Sequence, residues 1–354
     1  MAVISYKCPN CDGELIFDPS TQKYKCEYCF SLFSQQELDA MQPAQAEEKE
    51  EREEPRRENE QEENAGAVIY NCPSCGAQIV TEETTAATFC YYCHNPVVLS
   101  GKLSGEFLPD KIIPFSVTRE EAEKRFMEYI CEKKFVPKAF FSKKQIESIS
   151  GIYFPHWHYG VQIHGKVQAD AQKIRTWTSG DTEYTETKYY QVYREGDITL
   201  DHMTEDALRK ANKRLVDGVK SYDYKGMKDF KMSYLSGFMA ERRDIEYKEL
   251  EGQMQGKMQN YAKDLVKGSM YYTHISVKNS DFRFLKEDWS YVLLPVWTLT
   301  YKAKNGKIYY YSMNGQTGAV FGDLPVDYKK LLLHCFLIFL ILFGLMLIGG
   351  YFLW

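Results

Sequence analysis

The chain of 354 residues is 44% hydrophobic and 26% charged, values typical of a globular protein, and its length provides for two or three domains plus tails. Its formal net charge of −5 is unevenly distributed, because residues 47–63 hold ten Glu against four Lys or Arg. Residues 66–100 contain no Lys or Arg, and residues 1–34 contain three Lys against four acids. The N-terminal part therefore lacks the cations that neutralise nucleic-acid phosphates, which disfavours nucleic acid as a partner and favours a protein.

Two copies of one cysteine pattern occupy the first 93 residues. In each copy a CxxC pair is followed, after fourteen residues, by a second CxxC pair, and a shift of 64 positions maps one copy onto the other. The first copy is Cys8, Cys11, Cys26 and Cys29, and the second is Cys72, Cys75, Cys90 and Cys93. Pro9 and Tyr28 also map onto Pro73 and Tyr92, so the sequence indicates a duplicated module.

Four thiolates in two close pairs suit a tetrahedral ion, and such an all-cysteine shell is the closed, structural kind of zinc centre. The spacing predicts two zinc ribbons that hold one Zn²⁺ ion each. Iron in a rubredoxin-like site uses the same ligands, and the spacing leaves this alternative open. Disulfides are disfavoured, because a cytosolic location is argued below and the cytosol keeps thiols reduced. His94 follows Cys93 and is interpreted as an exposed histidine, because four thiolates already complete the shell.

The ribbons are predicted over residues 1–34 and 67–100, with a charged linker over residues 35–66 between them. Their expected strands are residues 14–17 and 24–26 in the first ribbon, and 77–80 and 88–90 in the second. The linker has many charges, two prolines and no apolar periodicity. This composition predicts either a solvated helix interrupted at proline or a disordered segment.

Residues 101–325 are predicted to form one α+β domain with a largely antiparallel sheet. Thr118 and Glu121 match a capping box, in which each side chain satisfies a backbone donor at the start of a helix. Further helices are predicted from Thr204 and over residues 243–268, where apolar residues recur at steps of three and four. The expected β segments are residues 151–194, 271–277, 290–302 and 307–313, with turns at Gly160, Gly165, Gly180 and Asn305. The motif FPHW recurs as LPVW 140 residues later, which indicates an internal β repeat.

Residues 331–354 form an apolar run without a charged side chain. As a helix this run spans roughly 36 Å, which is enough to cross a bilayer core of about 30 Å. Lys329 and Lys330 precede the run, and no basic residue follows it. The positive-inside rule therefore predicts a single-pass, tail-anchored protein of the cell membrane, with the anchor in membrane lipid and the N-terminal bulk in the cytoplasm.

The sequence contains no recognisable catalytic motif. The nearest match to a phosphate-binding loop, residues 160–167, lacks the Ser or Thr that binds magnesium and lies in a β region. His156, His158 and His164 are all even-numbered, so one strand would place them on one face. A second metal site and half-exposed polar positions are the two interpretations of these histidines. We expect no enzyme activity.

Four short motifs accompany the cysteines: IIPF at residues 112–115, GIYFPHW at 151–157, LPVW at 294–297 and MNGQTG at 313–318. The ribbons resemble transcription-factor-IIB-type and helicase-associated zinc ribbons. The whole layout resembles bacterial membrane-anchored zinc-ribbon proteins, often labelled primosomal-helicase-like or phage replisome organiser. The chain has no ATPase core, so we interpret such labels as derived from the ribbons. The resemblance implies cytoplasmic protein partners, with phage-shock-type membrane-stress proteins as candidates, and a role in the envelope-stress response.

The predicted fold is multidomain: two small β zinc ribbons, an acidic linker, an α+β domain and one C-terminal transmembrane helix. The predicted function is that of a membrane-anchored zinc-ribbon adaptor or scaffold, which recruits cytoplasmic protein partners to the membrane. A membrane-associated nucleic-acid-binding zinc-ribbon protein is the first alternative. Enzyme activity in residues 101–325 is the second.

Overall fold

The computed structural model describes residues 3–4, 6–41, 67–72, 78–90, 95–142, 146, 148–211, 216–303 and 306–353. The chain forms two compact units. The first comprises Met1–Phe154, Lys210–Arg242 and Leu293–Trp354. The second comprises Pro155–Arg209 and Arg243–Val292.

The strands are β1 (Val3–Ile4), β2 (Leu15–Asp18), β3 (Lys23–Cys26), β4 (Leu32–Phe33), β5 (Ala67–Asn71), β6 (Gln78–Glu82), β7 (Thr85–Phe89), β8 (Pro96–Leu99), β9 (Lys111–Ile112), β10 (Ser150–Ser179), β11 (Thr182–Asp206), β12 (Lys228–Asp229), β13 (Met239–Glu241), β14 (His274–Lys302), β15 (Ile308–Asn314) and β16 (Val320–Gly322). The helices are α1 (Gln35–Met41), α2 (Arg119–Cys131), α3 (Tyr247–Gly268) and α4 (Tyr328–Leu353).

The first unit is built on a sheet with the strand order β1-β8-β7-β13-β10-β14-β15-β16. The sheet is mixed. β10 pairs with β13 in parallel, through Ile152 and Met239, whereas the pairs β1–β8, β7–β8, β7–β13, β14–β15 and β15–β16 are antiparallel. The predicted hairpin after β14 is confirmed, since residues 296–302 pair antiparallel with β15. Asn305 of its turn lies outside the described residues, and Gly306 has the positive φ of 81° that such turns use.

Aromatic side chains fill the core of this sheet. The Phe115 ring stacks on Phe238 at 4.2 Å between centroids and meets Trp297 edge-on at 5.0 Å. A Cβ atom on Gly151 would lie 2.7 Å from the Phe238 ring, so this close approach requires glycine. The repeated FPHW and LPVW motifs lie on β10 and β14, which are neighbours in the sheet.

Helix α2 begins where the sequence predicts. The Glu121 backbone N donates to Thr118 Oγ1 at 3.2 Å, and the Thr118 backbone N donates to Glu121 Oε2 at 3.1 Å. The apolar face of the helix is buried through Ala122, Phe126 and Ile130. The capping box thus fixes the start of α2.

The second unit is organised by the hairpin of β10 and β11, whose register runs from His156–Asp206 to Ser179–Thr182. Gly180 forms the turn with a φ of 64°. The buried core of the unit contains Val167, Ala169, Ala171, Val192 and Met270, with side chains of α3 and β14 packed against it. Toward the turn, both strands are exposed.

Two of the predicted turns in this hairpin are wrong, because β10 continues through Gly160 and Gly165. Gly165 has a packing role instead, and Gly160 lies at an irregularity of the ladder between Tyr159 and Val161. A Cβ atom on Gly165 would lie 2.8 Å from the Phe282 ring, and one on Gly160 would lie 3.4 Å from Asp201 Oδ1. Glycine inside a strand here marks close approach and a bulge.

The helix predicted from Thr204 is wrong at its start, since Thr204, Glu205 and Asp206 belong to β11. Their backbone pairs with residues 156–158 of β10. In addition, Lys257 Nζ donates to Glu205 Oε2 at 2.7 Å. Residues 212–215, which follow in the same predicted helix, lie outside the described residues.

The C-terminal apolar run forms α4. Tyr328–Leu347 is the candidate span, a stretch of 20 residues with a mean hydropathy of 2.5 that is long and apolar enough to cross a membrane. Its large side chains are exposed, as at Leu332 and Ile341. The rest of the described chain has the buried cores of a water-soluble fold.

Candidate metal centre

Two turns bring the cysteines of the first copy together. The four Sγ atoms of Cys8, Cys11, Cys26 and Cys29 all lie within 4.8 Å of one another. The Cys8–Cys29 and Cys11–Cys26 Sγ distances are 3.6 Å and 3.5 Å. Zn–S bonds of about 2.3 Å in a tetrahedron place sulfurs about 3.8 Å apart, whereas a disulfide bond is about 2.05 Å long. The cluster therefore has the dimensions of a four-thiolate metal site.

Both turns use the same backbone pattern. Asp12 N donates to Cys8 O at 2.8 Å, and Phe30 N donates to Cys26 O at 3.0 Å. Asp12 and Phe30, each directly after a CxxC pair, have positive φ values of 60° and 59°. This conformation is strained for a bulky phenylalanine. It allows the turn to close and to direct both sulfurs of its pair at one point.

Backbone donors surround the sulfurs. Hydrogen bonds with the side chain and then the backbone N–H of Ser31 lower the pKa of Cys29 to about 6. Burial raises the pKa of Cys8, and the backbone N–H groups of Asn10 and Cys11 act in the opposite direction. Such donors stabilise the thiolate form that a metal ion requires. A closed shell of four thiolates acts as a structural crosslink and leaves no open position for a substrate.

The second copy is described in part, because Cys75 and Cys93 lie outside the described residues. Cys72 and Cys90 are both buried in one cluster. Their neighbours in that cluster are Tyr70, Val97 and Leu99. A metal-sized cluster of four cysteines is thus observed for the first copy, and the second remains a prediction.

One backbone contact is common to both copies. Cys90 N donates to Asn95 O at 2.9 Å, and Cys26 N donates to Ser31 O at 3.0 Å, 64 positions earlier. The duplication seen in the sequence therefore extends to this part of the local backbone.

The first ribbon packs on the rest of its unit through aromatic side chains. Phe17 and Tyr24 are each 1% exposed. Tyr24 Oη donates to Ser233 Oγ at 2.8 Å, and Phe17 N donates to Ser236 O at 3.1 Å. A module of this size buries little surface by itself, so the unit supplies the missing contacts. This ribbon belongs to the first unit and does not stand apart on the acidic linker.

The second cysteine turn presents aromatic side chains to solvent. Tyr28 is 76% exposed and Phe30 is 68% exposed. Lys25 Nζ lies 5.7 Å from the centroid of the Phe30 ring. Beside this turn lies a groove of about 620 Å³ within the first unit. Its lining includes Ile16, Lys25, Phe30, Phe89, Phe238 and Trp297.

The even-numbered histidines do not form one site, since each has its own partner. His156 Nε2 lies 3.1 Å from Asp206 Oδ1 in a buried pair. His158 Nε2 lies 3.0 Å from His202 Nδ1. His164 contacts two acids, with Nδ1 2.6 Å from Asp197 Oδ1 and Nε2 3.1 Å from Glu195 Oε1. The partners come from β11 and are set by the register of the hairpin, which no local sequence signal gives.

The chain was compared with known proteins. No protein-family description matches it, and no solved structure matches it. It is 31% identical over 331 residues to the protein described as "Uncharacterized protein YdjG" of Bacillus subtilis (strain 168). The match covers 93% of this chain and 92% of YdjG, so it includes both compact units. The chain therefore belongs to the same family as Bacillus subtilis YdjG.

Proposed function

We propose that this protein is a membrane-anchored adaptor whose metal-stabilised ribbon binds a cytoplasmic protein partner. The observation that supports this most is the exposed aromatic pair Tyr28 and Phe30 on the second cysteine turn. Large exposed aromatic side chains next to a groove are typical of protein-binding surfaces.

The proposed metal is Zn²⁺, bound by Cys8, Cys11, Cys26 and Cys29. A second ion is proposed for the second copy of the motif, on the strength of the 64-residue duplication. Four thiolates also suit iron, so elemental analysis decides between the two metals. If the ion is Zn²⁺, it supplies folding free energy and no chemistry on a substrate.

The proposed location is the cell membrane, with α4 as a single C-terminal anchor. Lys329 and Lys330 lie in the first turn of α4, directly before its uncharged run, which favours a cytoplasmic location for the residues before the helix. The cytoplasm keeps thiols reduced, and the free cysteines of the first cluster fit that environment.

A protein partner is favoured over nucleic acid by the charges of the ribbon. Residues 1–34 contain three Lys and four acids, and Lys7 Nζ binds Glu14 Oε1 at 2.6 Å. Few cations are therefore left to neutralise phosphates. The resemblance to membrane-anchored zinc-ribbon proteins suggests phage-shock-type membrane-stress proteins as candidate partners.

Site-specific photocrosslinking in cells tests this proposal. A photoreactive phenylalanine analogue replaces Tyr28 in the full chain, and the matched control places it at Tyr271, which is 91% exposed in the second unit. We expect a discrete protein adduct from position 28 that is absent at position 271, and mass spectrometry identifies it. A nuclease-sensitive adduct would support the nucleic-acid alternative, and equal labelling at both positions would reject the ribbon as the binding surface.

A further inference from the structure

The loop after α2 lies against the start of α4, and both segments belong to the first unit. Asp327 N donates to Phe135 O at 2.7 Å, and Lys330 Nζ donates to Val136 O at 3.4 Å. The Phe135 and His334 rings meet edge-on, with their centroids 5.5 Å apart. These contacts follow one side of the helix, because residues 327, 330 and 334 are three or four positions apart. The loop therefore accompanies the first two turns of α4.

With α4 across a bilayer, these contacts set the level of the loop relative to the membrane. The run from residue 331 onward carries no charged side chain, so the hydrocarbon begins beyond Lys330. His334 is four residues further on, or about 6 Å along the helix axis. The Phe135 ring, packed against His334, then lies at the boundary between headgroups and hydrocarbon. The exposed Tyr328 adds a second aromatic ring near this boundary, where such rings are favoured.

Four exposed lysines lie close to this boundary. Lys133 and Lys134 directly precede Phe135 in the loop, and Lys329 and Lys330 lie in the first turn of α4. Consecutive Cα atoms are about 3.8 Å apart, so the Lys134 side chain begins one such step from Phe135. Anionic headgroups offer phosphate oxygens at this depth, and basic side chains beside a membrane span attract them.

Nearby acids neutralise only part of this positive charge. Glu132 Oε2 is 4.0 Å from Lys133 Nζ, and Asp327 Oδ2 is 3.7 Å from Lys330 Nζ. The Asp327 carboxylate also accepts from Lys330 N at 3.3 Å and so caps α4. The other two lysines have no ion-pair partner among the residues that the structure describes. In sequence, residues 131–144 contain five Lys against one acid, so this segment is basic as a whole.

We propose that Lys133, Lys134, Lys329 and Lys330 together bind the headgroups of anionic phospholipids in the bilayer that α4 spans. This inference rests on the proposed location of α4 and goes beyond it, because an apolar anchor alone does not select among headgroups. A lipid surface is favoured over an acidic protein or a nucleic acid, since the lysines lie where the span begins. Lipid bound at both segments holds the end of α2 at the membrane surface.

Native mass spectrometry of the full chain in detergent tests this inference. The protein is titrated with phosphatidylglycerol or with phosphatidylcholine of the same acyl chains, so that only the headgroup differs, anionic in the first lipid and zwitterionic in the second. Each bound lipid adds its mass to the chain, and the titrations therefore give an affinity for each lipid. We expect phosphatidylglycerol to bind more tightly, and added salt to reduce this preference.

The variant Lys133→Gln/Lys134→Gln removes the loop half of the surface and leaves α4 unchanged. One basic side chain near an anionic surface contributes about fivefold in affinity, so this variant should lose about fivefold or more of the preference. Lys133→Arg/Lys134→Arg keeps both charges and should retain the preference. The matched control is Lys173→Gln/Lys188→Gln, because these exposed lysines also form a neighbouring pair, across β10 and β11.

Equal affinities for the two lipids in the unchanged chain would overturn the inference, as would a preference that Lys133→Gln/Lys134→Gln does not reduce. A loss of equal size in Lys173→Gln/Lys188→Gln would also overturn it, because total charge and not this surface would then decide. Extraction of cell membranes with alkaline carbonate tests the proposed location separately. A chain that is released is not anchored by α4, whereas a chain that stays in the membrane but shows no lipid preference rejects this surface alone.

Discussion

The cysteine cluster of the first ribbon and the histidine pairs of the second unit assemble polar side chains in two different ways. The four cysteines lie within 22 consecutive residues, Cys8 to Cys29, and two turns of the same pattern bring their sulfurs together. His158 and His202 are 44 residues apart, and the hairpin register and its bulge bring them into contact. A local site survives wherever its turns form, whereas a long-range site depends on the whole hairpin.

The ribbon and the hairpin also differ in the interactions that stabilise their folds. The ribbon is small, so we expect its fold to depend on the proposed metal ion as well as on the packing of Phe17 and Tyr24. The hairpin has many paired backbone groups and a core of its own. Removing one cysteine should therefore unfold the ribbon, whereas removing one histidine should only weaken the hairpin.

The largest effect is expected from Cys26→Ser. Structural zinc contributes about 10–16 kcal/mol of apparent binding free energy in small ribbons, which greatly exceeds what residues 1–34 gain from packing. The variant should lose one metal ion per chain and become sensitive to protease near Cys11. Elemental analysis and limited proteolysis measure both changes. Cys131→Ser, at an exposed cysteine outside the cluster, is the control. Full metal content in Cys26→Ser would show that Cys26 is not needed to hold the ion.

A smaller effect is expected from His156→Ala in the second unit. His156 is fully buried and lies 3.1 Å from Asp206, which is 3% exposed. Removing the histidine leaves a cavity in the core and takes away this neighbour of the buried carboxylate, which together cost about 3 kcal/mol. Urea unfolding followed by tryptophan fluorescence measures the loss. His164→Ala removes an exposed histidine of the same hairpin and should change the free energy of unfolding by less than about 0.5 kcal/mol. Equal costs for the two variants would contradict this difference.

The local features of this chain could be predicted from its sequence. The CxxC spacing predicts the first cysteine cluster, the Thr118 capping box predicts the start of α2, and the apolar run predicts α4. Each of these signals lies within a few turns of chain, where spacing alone decides which groups meet.

The long-range features could not be predicted. Gly160 and Gly165 suggest turns, yet β10 continues through both. Gly160 lies at the bulge, and the absence of a side chain at Gly165 leaves room for the Phe282 ring. Glu205 and Asp206 suggest a helix start, yet pairing with β10 keeps them in β11. The partner of His158 depends on the register of β10 and β11. Sequence patterns specify this register only weakly, because both strands are exposed on both faces near their turn.

The next smaller effect concerns the capping box at the start of α2, a local feature that needs no metal ion. In Thr118→Ala, the side chain that accepts from Glu121 N at 3.2 Å is lost, and the cost should be about 1 kcal/mol. Thr118→Ser keeps the hydroxyl and should recover most of the stability. Hydrogen exchange of the first turn of α2 locates the change. Protection that is equal in all three proteins would mean that packing of Phe126, and not the cap, starts this helix.

The smallest effect concerns the exposed cluster around His164. Hydrogen bonds to Asp197 and then Glu195 raise the pKa of His164 above 6.5, and Lys166, Tyr193 and His164 lower the pKa of Glu195 from 4.5 to about 2. A raised histidine pKa stabilises the fold below pH 6.5, and this is lost as the pH rises through the raised value. A lowered glutamate pKa stabilises the fold above pH 4.5, and this is lost as the pH falls toward 2.

The two contributions of this cluster therefore overlap between pH 4.5 and 6.5, where the hairpin should be most stable. Proton NMR of the His164 ring measures its titration midpoint directly. The midpoint should lie above that of an unstructured peptide, and Asp197→Asn should lower it, because the nearer acid is lost. Asp181→Asn, at the exposed turn of the same hairpin, removes an equal charge without this contact and should leave the midpoint unchanged. A midpoint that is insensitive to Asp197→Asn would mean that solvent screening cancels the contact, and that the hairpin register alone positions His164.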